Sequence, residues 1–99
     1  MRALTKHLLS LFVTLNKYLS QSRQKYSYVI VESEKALELW PENVKAAYRG
    51  AKAAVHLGYY NKGKRLAEQG LQLDSDNKPL QSLLNEAKEG LERNRKREV

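Results

Sequence analysis

Four side chains that are basic or titratable follow one another at helical spacing: Lys45, Arg49, Lys52 and His56. Residues three and four positions apart lie on the same face of a helix, so the four form one stripe. Arginine can bind a carboxylate through two parallel hydrogen bonds, and lysine adds a compact charge. Because like charges four residues apart slightly destabilise a helix, an unused stripe has a cost. We interpret the stripe as a carboxylate-binding surface, and the simpler alternative is a solvated helix face.

The remaining reactive side chains predict little chemistry. Glu34, Glu38 and Glu42 repeat every four residues, as expected of the solvated face of a helix. His7 and His56 are far apart and have neither cysteine nor aspartate at metal-ligand spacing. Phosphate-binding glycine loops, nucleophile motifs and metal motifs are absent from the sequence. We therefore expect a protein that is not an enzyme and that binds no metal or cofactor.

Composition limits the fold to one small domain. The chain has 99 residues, of which 41% are hydrophobic and 29% are charged, so its core must be thin. A stacked helical array fits this composition better than a compact globule does. Cysteine is absent, which excludes disulfides and thiolate metal sites.

The net charge of +7 is distributed in alternating blocks. Residues 1–31 hold five Lys and Arg and no acid, whereas residues 32–43 hold four Glu and one Lys. Residues 44–65 hold six Lys and Arg and no acid, and residues 66–77 hold three acids and no base. This alternation weakens the interpretation that the charge, together with the tyrosines, serves nonspecific nucleic-acid binding.

A fixed repeat period accounts for the alternation. Helical hairpin repeats have constant lengths, and one common length is about 34 residues. Several residues of this chain recur as the identical residue 34 positions later. We call this spacing of 34 residues the repeat period. The matching pairs are Tyr26 and Tyr60, Glu34 and Glu68, Leu37 and Leu71, Leu39 and Leu73, and Asn43 and Asn77. The sequence therefore predicts repeated helical hairpins.

Apolar spacing predicts about five helices and no strand. Their approximate ranges are 4–19, 26–39, 44–57, 61–73 and 79–91. The predicted boundaries are a polar break at residues 21–25, Trp40 before Pro41, Gly58, and the turn at residues 74–77. We expect the charged tail at residues 92–99 to fray into solvent.

The acid-free N-terminus permits two interpretations. Arg2 and Lys6 precede the apolar run Leu8 to Leu15, as in a secretory signal or an organellar transit peptide. The run lacks a small-residue cleavage site and is too short to span a bilayer. We interpret the segment as a structural helix, with a targeting or surface-anchoring helix as the alternative.

Three features carry a resemblance to a known family: the segments Glu34 to Leu39 and Pro41 to Asn43, and the pair Lys45 and Arg49 at Lys-x-x-x-Arg spacing. Through them, residues 26–92 resemble the last repeats and the capping helix of tetratricopeptide-repeat cochaperones, and are similar to the tetratricopeptide repeat protein 4 family. In such proteins the two segments lie where repeats end, and the Lys-x-x-x-Arg belongs to a carboxylate clamp. The resemblance implies an all-α array of helical hairpins with a C-terminal capping helix.

The resemblance also implies a function and a partner. Clamps of this type bind the acidic C-terminal peptide of cytosolic heat-shock chaperones, which implies a cytoplasmic protein, with the nucleus as an alternative. The implied carboxylate-binding residues are Lys45, Arg49, Lys52 and Asn16, of which Asn16 is about one position out of register. Self-association is left open, and no transmembrane segment or specific nucleic-acid ligand is expected.

The chain departs from the family pattern in both repeats. In the first, residues 10–24 lack the small residue and the glycine that normally appear there. In the second, Ala47 replaces a large aromatic residue, Gly63 and Gly70 replace alanines, and Ser75 replaces the terminal proline. We divide the chain into residues 1–43, an N-terminal helix with a degenerate repeat; residues 44–77, a second repeat; and residues 78–99, a capping helix with a charged tail. The alternative function is a structural scaffold fragment that binds no peptide.

Overall fold

A computed structural model describes residues 22–97, and all regular structure within that range is helical. We label its four helices α1 (the described part, residues 22–39), α2 (Val44–His56), α3 (Tyr60–Leu73) and α4 (Lys78–Arg97). The prediction of an all-α fold is confirmed. The predicted N-terminal helix at residues 4–19 lies outside the described residues, so the fifth helix stays a prediction.

Two predicted boundaries are wrong. The sequence predicts a polar break that extends to Lys25, yet residues 22–25 are helical. Arg23, Gln24 and Lys25 are good helix formers, and a polar run without glycine or proline does not interrupt a helix. Residues 92–97 of the charged tail are exposed as expected, but they are not frayed, because α4 continues through them to Arg97.

Favourable electrostatics account for the extension of α4. The Arg95 guanidinium lies 3.3 Å from a Glu92 carboxylate oxygen, one helical turn earlier. Arg95, Lys96 and Arg97 occupy the last turn, where positive charge interacts favourably with the helix dipole.

Asparagines one repeat period apart cap the starts of α2 and α4. The Asn43 side-chain oxygen accepts a hydrogen bond from the Ala46 N–H at 3.1 Å. The Asn77 side-chain oxygen accepts one from the Leu80 N–H, also at 3.1 Å. Each bond satisfies an N–H that has no partner within the first turn of its helix.

The turns before these caps repeat as well. The Trp40 N–H donates to the Ala36 carbonyl at 2.7 Å, and the Asp74 N–H donates to the Gly70 carbonyl at 3.0 Å. The two donors are one repeat period apart, and so are the two acceptors. The period of the sequence is thus matched by a period in backbone hydrogen bonding.

Small residues bring α2, α3 and α4 into close contact. A Cβ atom placed on Gly70 of α3 would lie 2.7 Å from a Leu80 methyl of α4 and 3.2 Å from the Ala47 Cβ of α2. A Cβ placed on Gly63 would lie 2.7 Å from a Val55 methyl. The glycines that depart from the family pattern therefore lie at helix contacts. The main core consists of Leu37, Ala46, Ala47, Ala51, Leu66, Ala67, Leu80 and Leu83.

Tyrosines one repeat period apart pack between neighbouring helices, as expected from their equivalent positions. The ring of Tyr26 in α1 lies 4.1 Å, centroid to centroid, from the ring of His56 in α2. Tyr60 of α3 packs against Gly90 of α4, where an added Cβ would lie 2.5 Å from the ring. The residues that they contact, His56 and Gly90, are separated by the same period.

Candidate functional site

Helix α2 has one buried side made of small residues and one exposed side that carries basic residues. The buried side of this helix consists of Ala46, Ala47, Gly50, Ala51, Ala53 and Ala54. These small residues let α2 lie deep among its neighbours, and Lys45, Arg49, Lys52 and His56 are left exposed on its other side. We call these four residues the basic stripe. The structure thus brings Lys45, Arg49 and Lys52 onto one exposed face, in agreement with the sequence prediction.

Lys45 lies in the first turn of α2, next to the Asn43 cap. The N-terminus of a helix carries a partial positive charge, and the first turn of α2 contains no acidic residue. The lysine charge and the helix dipole therefore add at this end of the stripe, which favours an anionic ligand.

Lys45 and Arg49 separate two surface grooves. The α1–α2 groove has a volume of about 320 Å³ and is lined on α1 by Tyr28, Val29 and Ala36, with Glu32 among them. The α2–α4 groove has a volume of about 280 Å³, and its lining residues, apart from Lys45 and Arg49, are Val44, Tyr48, Asn77 and Pro79. A ligand bound to the two cations can therefore place further groups in a groove on either side.

A third groove, of about 340 Å³, borders the other end of the stripe. Lys52 and His56 line it from α2, and Glu86 lines it from α4. The Lys52 ammonium also lies 5.9 Å from the centre of the Tyr48 ring, a cation–π distance. Lys52 thus belongs to the stripe, and the groove beside it contains one acidic residue, Glu86, as the α1–α2 groove beside Lys45 and Arg49 contains Glu32.

The ion pairs among the described residues do not include a side chain of the basic stripe. The shortest joins Lys62 of α3 to Glu34 of α1, with the two charged atoms 2.8 Å apart. The other three join residues three or four positions apart, and none includes Lys45, Arg49 or Lys52. Within residues 22–97, the charges of these three side chains are therefore available to a ligand.

Several residues beside the cations are absent from the sequence-based prediction of the site. Tyr48 lies three residues after Lys45, so helical spacing alone could have identified it. Glu32 and Pro79 come from α1 and α4, and only the packing of the helices brings them close to the stripe. Asn16, a further predicted site residue, lies outside the described residues.

Two of the three regularly spaced acidic residues lie on α1, and the third does not. Glu38 on α1 is exposed, and Glu34 on α1 pairs with Lys62 at the surface. Glu42 is also exposed, but it lies in the turn between α1 and α2, so the three carboxylates do not form one helix face. The described part of the chain holds no group of three or more His, Asp or Glu that could bind a metal ion. Within the same part, no helix is both long enough and apolar enough to cross a membrane.

Comparison with protein-family models, with curated proteins and with solved structures gave no match for this chain. The geometry of the basic stripe and the repeat period are therefore the observations from which a function is proposed.

Proposed function

We propose that the chain is a protein-interaction module of the tetratricopeptide-repeat type that binds the acidic C-terminal peptide of a heat-shock chaperone in the cytoplasm. The observation that carries the proposal is the pair Lys45 and Arg49, which lie one helical turn apart, exposed and outside the ion pairs of the described residues. The hydrogen bonds and the tyrosine contacts that recur after one repeat period support the repeat architecture.

The stripe suits a peptide that ends in an acidic residue. Such a peptide presents two carboxylates close together, one from the last side chain and one from the chain terminus. Arg49 can bind one carboxylate through two parallel hydrogen bonds, while Lys45 and the start of α2 attract the other. Free peptide ends of this kind therefore carry the recognition, and internal acidic residues carry less.

The α2–α4 groove supplies apolar contacts beside the charges. Val44, Tyr48 and Pro79 line it next to Lys45 and Arg49. A side chain that precedes the acidic terminus of the peptide can bury its apolar surface there. This contact adds to affinity, whereas the charged pair determines where the peptide terminus lies.

The expected affinity is low. Each hydrogen bond to a charged group contributes about 1.5–3 kcal/mol, and association costs at least ~4 kcal/mol in lost translational and rotational freedom. A partial clamp that makes two or three such bonds should have a Kd on the order of tens of micromolar or weaker.

Calorimetric titration of the full chain with a short peptide that ends in an acidic residue tests the proposal. Arg49→Ala should weaken binding about tenfold or more, and Lys45→Glu should abolish it by replacing attraction with repulsion. Lys88→Glu makes the same charge reversal on the exposed surface of α4 and should change binding little. Glu38→Gln changes the acidic face of α1 and should also have little effect. Equal loss of binding from Lys45→Glu and Lys88→Glu would show that only net charge matters.

The alternative function, a scaffold fragment, is favoured by one observation. Leu39 and Trp40, at the end of α1, are 83% and 71% exposed, which is unusual for two adjacent large apolar side chains. A scaffold that binds its partner through Leu39 and Trp40 should still bind it after Lys45→Glu and should no longer bind it after Leu39→Ser. Failure of every acidic peptide to bind the folded chain would favour this function over the clamp.

A further inference from the structure

The contacts between the helices define two opposite ends of the described structure. Gly70, near the end of α3, meets Ala47 near the start of α2 and Leu80 near the start of α4. Tyr60, at the start of α3, packs against Gly90 in the second half of α4. The α1–α2 and α3–α4 turns therefore lie at one end, and the α2–α3 turn and the last residues of α4 lie at the other.

The first of these ends is acidic. It consists of residues 38–43 and 73–77, which we call the acidic end. The two segments contain no Lys or Arg, and their acidic residues, all exposed, are Glu38, Glu42, Asp74 and Asp76. Lys45 and Lys78 follow the two segments, and even when they are included the net charge is −2, from four acids and two bases.

Exposed apolar side chains accompany the charges of the acidic end. Leu39 and Trp40 lie in its first segment and are 83% and 71% exposed. Leu73, one repeat period after Leu39, lies in its second segment and is 46% exposed. Exposed apolar side chains that are grouped and bordered by polar residues are typical of a protein-interaction surface.

The opposite end is basic and contains a groove lined by tyrosines. It consists of residues 58–62 and 91–97, which we call the basic end, and it contains five basic residues and one acidic residue. The basic residues are Lys62, Arg93, Arg95, Lys96 and Arg97. The groove has a volume of about 320 Å³ and is lined by Tyr59 and Tyr60 from the start of α3 and by Leu91 from α4. We call it the tyrosine groove.

We propose that the acidic end of one copy of the chain binds the basic end of a second copy, with Trp40 in the tyrosine groove. The two ends have opposite charges, which orient the copies head to tail, and an indole packs favourably against tyrosine rings. Each copy in such a pair keeps one free end, so the assembly can grow into longer chains. The inference is independent of the proposed peptide binding, and it names a partner for Leu39 and Trp40.

Sedimentation velocity of the full chain tests the self-association. Aromatic side chains bury about 150–250 Å² each, so a contact through Trp40 and two tyrosines belongs to the class of small, weak interfaces. The mean mass of the unmodified chain should therefore rise only at high concentration, between about 10 μM and about 1 mM. Tyr28→Ser removes an aromatic side chain that is 65% exposed from α1 and should leave this rise unchanged. A chain that stays monomeric at the highest concentration would overturn the proposal.

Mixing two variants tests the head-to-tail arrangement. Trp40→Ser keeps the tyrosine groove, whereas Tyr59→Ser alters the groove and keeps Trp40. Tyr59 makes no side-chain cap hydrogen bond and serine is a preferred N-cap residue, so Tyr59→Ser should preserve α3. Each variant alone should associate about tenfold or more weakly than the unmodified chain, and an equimolar mixture should form dimers without larger species. Dimers of Tyr59→Ser alone would show that two identical surfaces meet, and a mixture as weak as its components would also overturn the proposal.

A matched pair of charge reversals tests the electrostatic part. Glu42→Lys at the acidic end and Glu86→Lys in the middle of α4 both raise the net charge of the chain from +7 to +9. Glu42→Lys should weaken association about tenfold or more, and Glu86→Lys should weaken it much less. Circular dichroism at 222 nm verifies that both variants keep the helical fold. Equal weakening by the two reversals would show that only net charge matters, which would overturn the proposal.

Discussion

The contact between Gly70 and Leu80 predicts a specific pattern of mutational coupling. Leu80 is the largest fully buried side chain among residues 22–97 and joins α4 to the rest of the core. A methyl group added at Gly70 would lie 2.7 Å from one Leu80 methyl and 3.3 Å from the other. Carbon atoms in favourable contact are about 3.5–4.0 Å apart, so Gly70→Ala forces Leu80 to move.

The expected magnitudes follow from these contacts. Overpacking in Gly70→Ala costs about 1–3 kcal/mol, and the better helix propensity of alanine returns about 1 kcal/mol, so the free energy of unfolding should fall by about 0–2 kcal/mol. Leu80→Ala leaves a cavity and should cost about 2–5 kcal/mol. In the double variant the Leu80 methyls are gone and the added methyl occupies part of the cavity. The double variant should therefore be more stable than the sum of the single effects predicts, by about 1–3 kcal/mol.

Urea unfolding of the four proteins, followed by circular dichroism at 222 nm, measures this coupling. A loss of 1 kcal/mol corresponds to a fall in Tm of roughly 4–8 °C in a domain of this size, so thermal unfolding provides a second measurement. Effects that add to within about 0.5 kcal/mol would refute the close packing of α3 against α4 at this point.

Two further predictions concern the repeat. Asn43→Ala and Asn77→Ala each remove a helix cap, so each should lower the free energy of unfolding, measured by urea denaturation, by about 1 kcal/mol. A loss of stability in only one of the two variants would contradict the equivalence of the two turns. Deletion of residues 78–99 removes Leu80 and Leu83 from the core cluster that they form with Ala47 and Leu66, so it should cause aggregation or loss of helical circular dichroism. A monomeric and equally helical product would contradict the capping role of α4.

The positions of the helices could be predicted from local signals. Apolar spacing predicts α2 and α3 to within one residue at each end. The bounds of α2 also have local signals, because Asn43 caps its start and Gly58, with a φ angle of +83°, follows its end. The missed boundaries are those without such a signal. Residues 22–25 contain no helix breaker, and neither do residues 92–97. Both segments consist largely of residues that favour helix, so α1 begins earlier and α4 ends later than predicted.

The cations of the site could be predicted, but their surroundings could not. The spacing of Lys45 and Arg49 is a local property of one helix, so their common face follows from the sequence. The approach of Glu32 and Pro79 depends on how three helices pack, and small residues lie at these contacts: Gly50 of α2 beside Ser33 of α1, and Gly70 of α3 beside Ala47 of α2 and Leu80 of α4. The repeat period predicts that neighbouring hairpins are alike, but it does not predict which side chains meet between them.

We propose that Lys45 and Arg49 bind the carboxylates at the end of a peptide. The most direct measurement compares, by calorimetry on the unmodified full chain, one acidic peptide with a free C-terminus and the same peptide amidated at its C-terminus. Amidation removes one carboxylate and leaves the rest of the peptide unchanged, so it should weaken binding about tenfold or more, equivalent to about 1.4 kcal/mol or more. Equal affinity for the two peptides would contradict the claim.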